Sequence, residues 1–216
     1  MNLGKSHIVF VFCMLTSCLS SPSERRILDE LEKNSLSSDL EINDIFLGIA
    51  FGDSKTLFDQ KLDSLYALNL IKRIIPDSLR NETFKLEEYN LFYYQFDEKG
   101  LGNLKWLFKP EFHHNRLHIL KIVNSPVINH FLDGEQDLDF GRGLLKSLLD
   151  ESREVLEDAE ITYRMMREYL SKEYGMADFE NKQKTNVYWL NGNLEVALRN
   201  NSTSIEIEFK DLRICE

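Results

Sequence analysis

Cysteine is scarce in this chain: three residues in 216, at positions 13, 18 and 215. Two of the three fall within the first eighteen residues and leave only Cys215 in the rest of the chain, so no disulfide framework is supplied and stability has to come from packing. Basic charge is also short. Lys and Arg number 26 against 36 Asp and Glu, a formal charge of −10 that repels nucleic acid and anionic lipid surfaces. A nucleic-acid binder is excluded on that ground. Apolar runs are short as well: residues 8–15 form a run of eight, against about 20 for a helix that crosses a bilayer. Sequence signatures of catalysis are missing. There is no Gly-x-Ser-x-Gly elbow, no His-Glu-x-x-His helix and no Walker glycine loop. No enzyme and no cofactor is expected.

What is present begins at the N-terminus. Lys5 precedes the apolar run and small residues close it, the order of a secretory signal. Leu15-Thr16-Ser17-Cys18 resembles a lipobox at all four positions. The resemblance implies a bacterial lipoprotein cut before Cys18. The Cys18 thiol would carry a diacylglycerol and the new amine a further acyl chain such as palmitate. Two or more acyl chains anchor a protein stably, whereas one holds it marginally. The alternative is an ordinary signal peptide cut near Ser20 or Ser21, with Cys18 discarded. In lipoproteins of this kind an Asp after the cysteine often retains the protein at the inner membrane. Leu19 stands there instead, and no dense acidic run follows, so the expected location is the outer membrane, facing the periplasm. Cys215 is then a spare thiol.

On that reading residues 1–17 are the signal and 18–43 a tether with a short helix over 24–33, carrying Ile27, Leu28 and Leu31. Residues 44–51 read as one strand with Ile45, Leu47 and Ile49 on a single face. Ser54 is a good helix N-cap, and Phe58, Leu62, Leu65 and Leu68 then recur at helical spacing. Strands are expected over 83–96, 103–113 and 116–123, with His114-Asn115 at a hairpin tip. Pro110 cannot donate to a ladder and points to an edge or a bulge. Residues 125–143 form a linker loop. Helix follows over 144–174, with Leu156, Ala159, Tyr163, Met166, Leu170 and Tyr174 as one apolar stripe and Gly175 as the terminating glycine. Asn191-Gly192, a pair favoured by the type I′ turn, joins strands 187–190 and 194–199. Ile205, Ile207 and Phe209 alternate with Glu206, Glu208 and Lys210, a buried face against a wet one.

Each half therefore reads as a helix followed by three antiparallel strands, units 44–124 and 144–216. A helix stripe and a meander face bury each other, so the fold class is α+β, with helices on one face of antiparallel sheet. The sheet is either continuous or split into two tandem units. The segment Leu47-Gly48-Ile49-Ala50-Phe51-Gly52-Asp53-Ser54 before a helix is similar to the opening of small exported repeats. These include β-lactamase-inhibitor-protein-like domains and the small lipoproteins of outer-membrane assembly. Tyr169-Leu170, Tyr174-Gly175, Trp189 and Asn191-Gly192, together with residues 112–120, resemble uncharacterised Bacteroidetes-type lipoproteins. The likeness implies a non-catalytic binding or assembly module and carries over no functional residue beyond Cys18.

Other candidates are few. His113, His114 and His118 form a cluster, with His114 and His118 as weak metal candidates and Glu111 the nearest acid. The loop from Asp133 to Asp139 clusters carboxylates without the order of an EF-hand. Phe92, Tyr93, Tyr94, Trp106 and Trp189 lie on strands, either exposed for protein or glycan contact or packed under the helices. The expected role is a membrane-anchored envelope lipoprotein that binds another envelope protein through a sheet face or edge. An envelope hydrolase and a small-ligand or metal carrier are the competing roles.

Overall fold

The structure is a computed structural model that describes residues 21–73, 92–97, 101, 104–124, 144–201 and 204–214, with side chains of the last helix from Ala159 onward. Cys18, Cys215, the acidic loop and the Thr83 end of the first expected strand lie outside the described residues.

Three helices lie among the described residues, and their described caps account for where they begin and end. The first, α1 (Pro22–Leu36), opens on a reciprocal box: Ser21 Oγ accepts from the Glu24 N–H and Glu24 Oε2 accepts from the Ser21 N–H at 2.7 Å. Pro22 occupies the first turn, where its missing donor costs nothing. Ser54 caps α2 (Lys55–Ala67) by accepting from the Leu57 N–H. The long α3 (Leu144–Tyr174) stops at Gly175, whose φ of +85° suits glycine and whose N–H bonds the Ser171 carbonyl. Among the described residues no helix is long and apolar enough to cross a membrane.

A hairpin, β1 (Asp44–Phe46) and β2 (Ile49–Ala50), precedes α2. Eight further strands follow: β3 (Lys72–Arg73), β4 (Phe92–Tyr94), β5 (Trp106–His113), β6 (Arg116–Asn124), β7 (Phe179–Glu180), β8 (Asn186–Asn191), β9 (Leu194–Asn200) and β10 (Ile205–Asp211). They make one antiparallel sheet in the order β3-β4-β5-β6-β10-β9-β8-β7. Among the described residues each half thus contributes a helix and four neighbouring antiparallel strands. The two last strands meet at the centre, from Asn124 opposite Ile205 to Ile119 opposite Lys210. The sheet is continuous, and its outermost described strands are two residues long, which leaves little unpaired backbone for aggregation.

The core lies between this sheet and α2 and α3. Phe58, Leu62 and Leu65 of α2 and Ala159, Tyr163, Met166 and Leu170 of α3 share it with Trp106, Phe108, Leu120, Ile122, Val196, Ile207 and Phe209. Phe46 fills the middle, its ring centroid 5.1 Å from Tyr94 and 6.0 Å from Phe209. The stripe residues with described side chains are therefore the packed ones, with one exception, and the side chain of Leu156 lies outside the described residues. Leu68 is the C-cap of α2 and is 68% exposed. Trp106, Trp189 and Phe92 are core residues, and Tyr94 packs against them, so the packed alternative holds for these aromatics. Tyr93 stays half-buried, with the Lys105 ammonium 5.9 Å from its ring centroid.

Several local readings change. Residues 44–51 are a hairpin rather than one strand, because Leu47 and Gly48 both take positive φ, +53° and +75°. The β8–β9 turn sits one position later than expected, at Gly192-Asn193. Only Gly192 has positive φ there, the pattern of a type II′ turn with glycine first, so Asn191 pairs as a strand residue. The type I′ pattern appears instead at His114-Asn115, with φ of +47° and +63°. Pro110 sits where β4 has already ended, since β4 pairs only with Trp106 and Leu107, and a bulge follows at Glu111/Phe112. Residues 21–43 are more than a tether. Helix α1 lies on the sheet face opposite α2 and α3, Glu24 Oε1 accepting from the Lys182 N–H at 2.8 Å and Ser35 Oγ donating to the Gly192 carbonyl at 2.8 Å.

Candidate functional site

The histidines come together at the hairpin tip. The tight His114-Asn115 turn puts His113 against His114, ring centroids 4.2 Å apart, and the bulge turns His118 toward His113 at 5.8 Å. The spacing of about 13 Å expected for positions four apart on one strand does not apply, because the chain reverses between them. Among the described residues no group of three or more His, Cys, Asp or Glu is arranged to hold a metal ion. The imidazoles pack edge to face instead.

The polar face of β10 is not wet. Glu111, Lys121, Glu208, Arg199 and Glu206 form a chain of ion pairs across β5, β6, β10 and β9, at 2.5, 3.4, 2.8 and 3.1 Å in turn. Cross-strand register makes this possible, because Lys121 stands opposite Glu208 and Arg199 opposite Glu206. Burial alone would raise the Glu208 carboxyl. The hydrogen bond and charge of Arg199, with Lys121 behind it, outweigh burial and hold it below the usual carboxylate range. Such a network is self-satisfied, and its role is to fix register and tolerate cover.

Beside it lies an unresolved charge. Glu195 of β9 is 2% exposed, points at Glu32 of α1 and lies near Lys210. Burial and the hydrogen bond with Glu32 push its carboxyl up to about 8, against the opposing charge of Lys210. Glu195 Oε2 has no hydrogen-bond partner among the described residues.

The remaining feature is concave. A cleft of about 830 Å³ opens between α3, the turn joining β7 to β8, and the end of β9, within the size range of ligand sites. Tyr163, Arg164, Arg167, Glu160, Lys184 and Thr185 contribute to its walls. Helical spacing puts Glu160, Arg164 and Arg167 on one edge, while the turn supplies Lys184 from the other side. Arg167 is committed: its two terminal nitrogens donate to Glu180, each at 2.9 Å. Arg164, Lys184 and Glu160 are exposed and make no ion pair among the described residues. Lys184 takes φ of +58°, a conformation that costs a non-glycine residue energy and that clusters at functional positions.

Tyr163 closes the cleft floor. It is 7% exposed, and its hydroxyl has no hydrogen-bond partner among the described residues. Burial pushes it up to about 12, against the opposing charge of Arg167, so the group is a proton donor throughout the physiological range. A buried donor with no acceptor is a cost to the fold. Sequence reasoning placed Tyr163 in the apolar stripe, which is where its ring lies, and missed what its oxygen does.

No protein-family model, no curated protein and no solved structure matches this chain.

Proposed function

We propose that the chain is a lipid-anchored envelope protein, held through Cys18 at an outer membrane and facing the periplasm, whose folded part is a non-catalytic binding or assembly module. The observation that carries this reading is Leu15-Thr16-Ser17-Cys18 at the end of the apolar run, the layout that presents a thiol for acylation. The start of the fold fits it. Ser21 caps α1 three residues after Cys18, so at most about 10 Å of extended chain separates thiol from folded body. A protein partner would find apolar side chains at the end of α2, where Tyr66, Leu68 and Leu70 are 47%, 68% and 50% exposed. A pull-down from solubilised membranes that recovers no partner counts against the assembly role.

The anchor has a direct test. The mature N-terminus should be Cys18 carrying the mass of two or three acyl chains, read by mass spectrometry. Cys18→Ala should move the protein from the membrane to the soluble fraction, and a variant that stays membrane-bound refutes the anchor. A second reading, a small-ligand lipoprotein, is favoured by the cleft over Tyr163.

A further inference from the structure

We propose that the cleft beside Tyr163 binds the headgroup of a zwitterionic, amine-bearing phospholipid, its phosphate toward Arg164 and Lys184 and its ammonium toward Glu160. The choice of a phospholipid as the source of that headgroup rests on the Cys18 anchor.

Charge selects the ligand class. The cleft offers two cations that make no ion pair among the described residues, Arg164 and Lys184, from opposite walls, and one such carboxylate, Glu160, a helical turn before Arg164. Guanidinium and ammonium groups from facing walls are the chemistry that holds a phosphate. A lone anion would leave Glu160 repelling it, whereas a headgroup with phosphate and ammonium a few bonds apart satisfies both signs. The chain as a whole carries a formal charge of −10, which disfavours a strongly anionic surface and leaves a neutral headgroup acceptable.

Position selects the source. The Glu24 carboxylate joins the start of α1 to the Lys182 N–H, and the residues that follow, Gln183, Lys184 and Thr185, line the cleft. The start of α1 is three residues from Cys18. A chain that short cannot hold the turn far from the bilayer surface, where headgroup phosphates lie within reach of Lys184.

The test uses the full-length protein purified from membranes into a non-ionic detergent and freed of phospholipid. Calorimetric titration with glycerophosphoethanolamine, glycerol 3-phosphate and inorganic phosphate compares the headgroup with its parts. Glycerophosphoethanolamine should bind saturably and more tightly than either anion. Arg164→Gln combined with Lys184→Gln should weaken it about tenfold or more, the value of a lost charge-assisted hydrogen bond. Glu160→Gln should weaken glycerophosphoethanolamine alone and leave glycerol 3-phosphate unchanged or tighter. All three side chains are exposed, so these variants keep the fold. Absence of saturable binding, or binding that the double variant retains, overturns the proposal. Equal binding of inorganic phosphate with a silent Glu160→Gln also overturns it, and makes the cleft a soluble-phosphate site. The anchor stands or falls separately: a mature N-terminus without lipid, together with intact headgroup binding, removes the membrane source and leaves the cleft chemistry in place.

Discussion

Gly192→Ala should lower the melting temperature by about 8–16 °C, a loss of about 4 kcal/mol, read by circular dichroism on heating. Two costs combine at this position. Its φ of +62° is left-handed, where an added Cβ costs about 1–2 kcal/mol. That Cβ would also run into the Leu40 carbonyl oxygen and stand 2.9 Å from the carbonyl carbon and 3.2 Å from Leu40 Cβ. The obstacle is backbone, so no rotamer change relieves it. Residues 37–43 would have to lift off the β8–β9 turn. Lifting them breaks the two bonds by which Asn193 grips Ile42, 2.6 Å from its N–H and 3.0 Å to its carbonyl, together with the Ser35 bond to Gly192. Gly48→Ala is the matched comparison. Its φ of +75° is equally left-handed and its Cβ would meet nothing within 4 Å, so only the conformational cost applies. It should lose about 1–2 kcal/mol, or roughly 2–8 °C. Equal losses in the two variants would mean that Leu40 does not press on the turn, and the docking of the segment between α1 and β1 would fall with it.

The same segment separates what a sequence can say from what it cannot. The alternation from Ile205 to Lys210 and the stripe Ala159-Tyr163-Met166-Leu170 predict their elements because each pattern is complete within one stretch of chain. Strands β3 and β7 were invisible for the opposite reason. Two residues carry no period, and they are strands only because β4 and β8 pair with them. Alternation also gives the parity of a face without giving its cover. Glu208 and Glu206 look solvated in sequence, and the register that sets Arg199 and Lys121 against them, with α1 lying over the neighbouring strands, is a tertiary fact. The leucines of α1 gave a helix, but its docked side is Glu24, Leu28, Leu31, Glu32 and Ser35, too polar to be read as a packing face. The cleft failed to appear for a related reason. Arg164 and Arg167 lie three apart on a helix and were legible as neighbours, whereas Lys184 reaches them through the β7–β8 turn. Only the stretch Asn181 to Thr185, polar and turn-prone, carried any signal, because Asn181 Oδ1 accepts from the Thr185 and Asn186 N–H groups and shapes that turn.

The attachment of α1 to the sheet should be sensitive to pH, and Glu195 sets the direction. Its carboxyl is at about 8 in the folded protein, against an ordinary 4.5. The folded state therefore binds the proton more tightly than the unfolded chain does. The stability that this group contributes is fully present below pH 4.5, declines as pH rises through the window from 4.5 to about 8, and is gone above it. At 1.36 kcal/mol per unit the whole window is on the order of 5 kcal/mol. Glu195→Gln removes the ionisation and keeps a donor for Glu32. Its melting temperature should match the natural protein near pH 4, exceed it by several degrees at pH 7, and lead by somewhat more at pH 9. Glu208 and Asp211, both held below their usual range, impose the opposite trend at acid pH, but they do so equally in both proteins and cancel in the comparison. Because Glu32 belongs to α1, the ionisation that weakens the fold is felt at the helix nearest Cys18. Amide exchange in residues 22–36 should accelerate between pH 6 and 9, after correction for intrinsic rates, in the natural protein and not in Glu195→Gln. If Glu195→Gln merely costs stability at every pH, the carboxyl is ionised in the fold, and the proton shared between β9 and α1 does not exist.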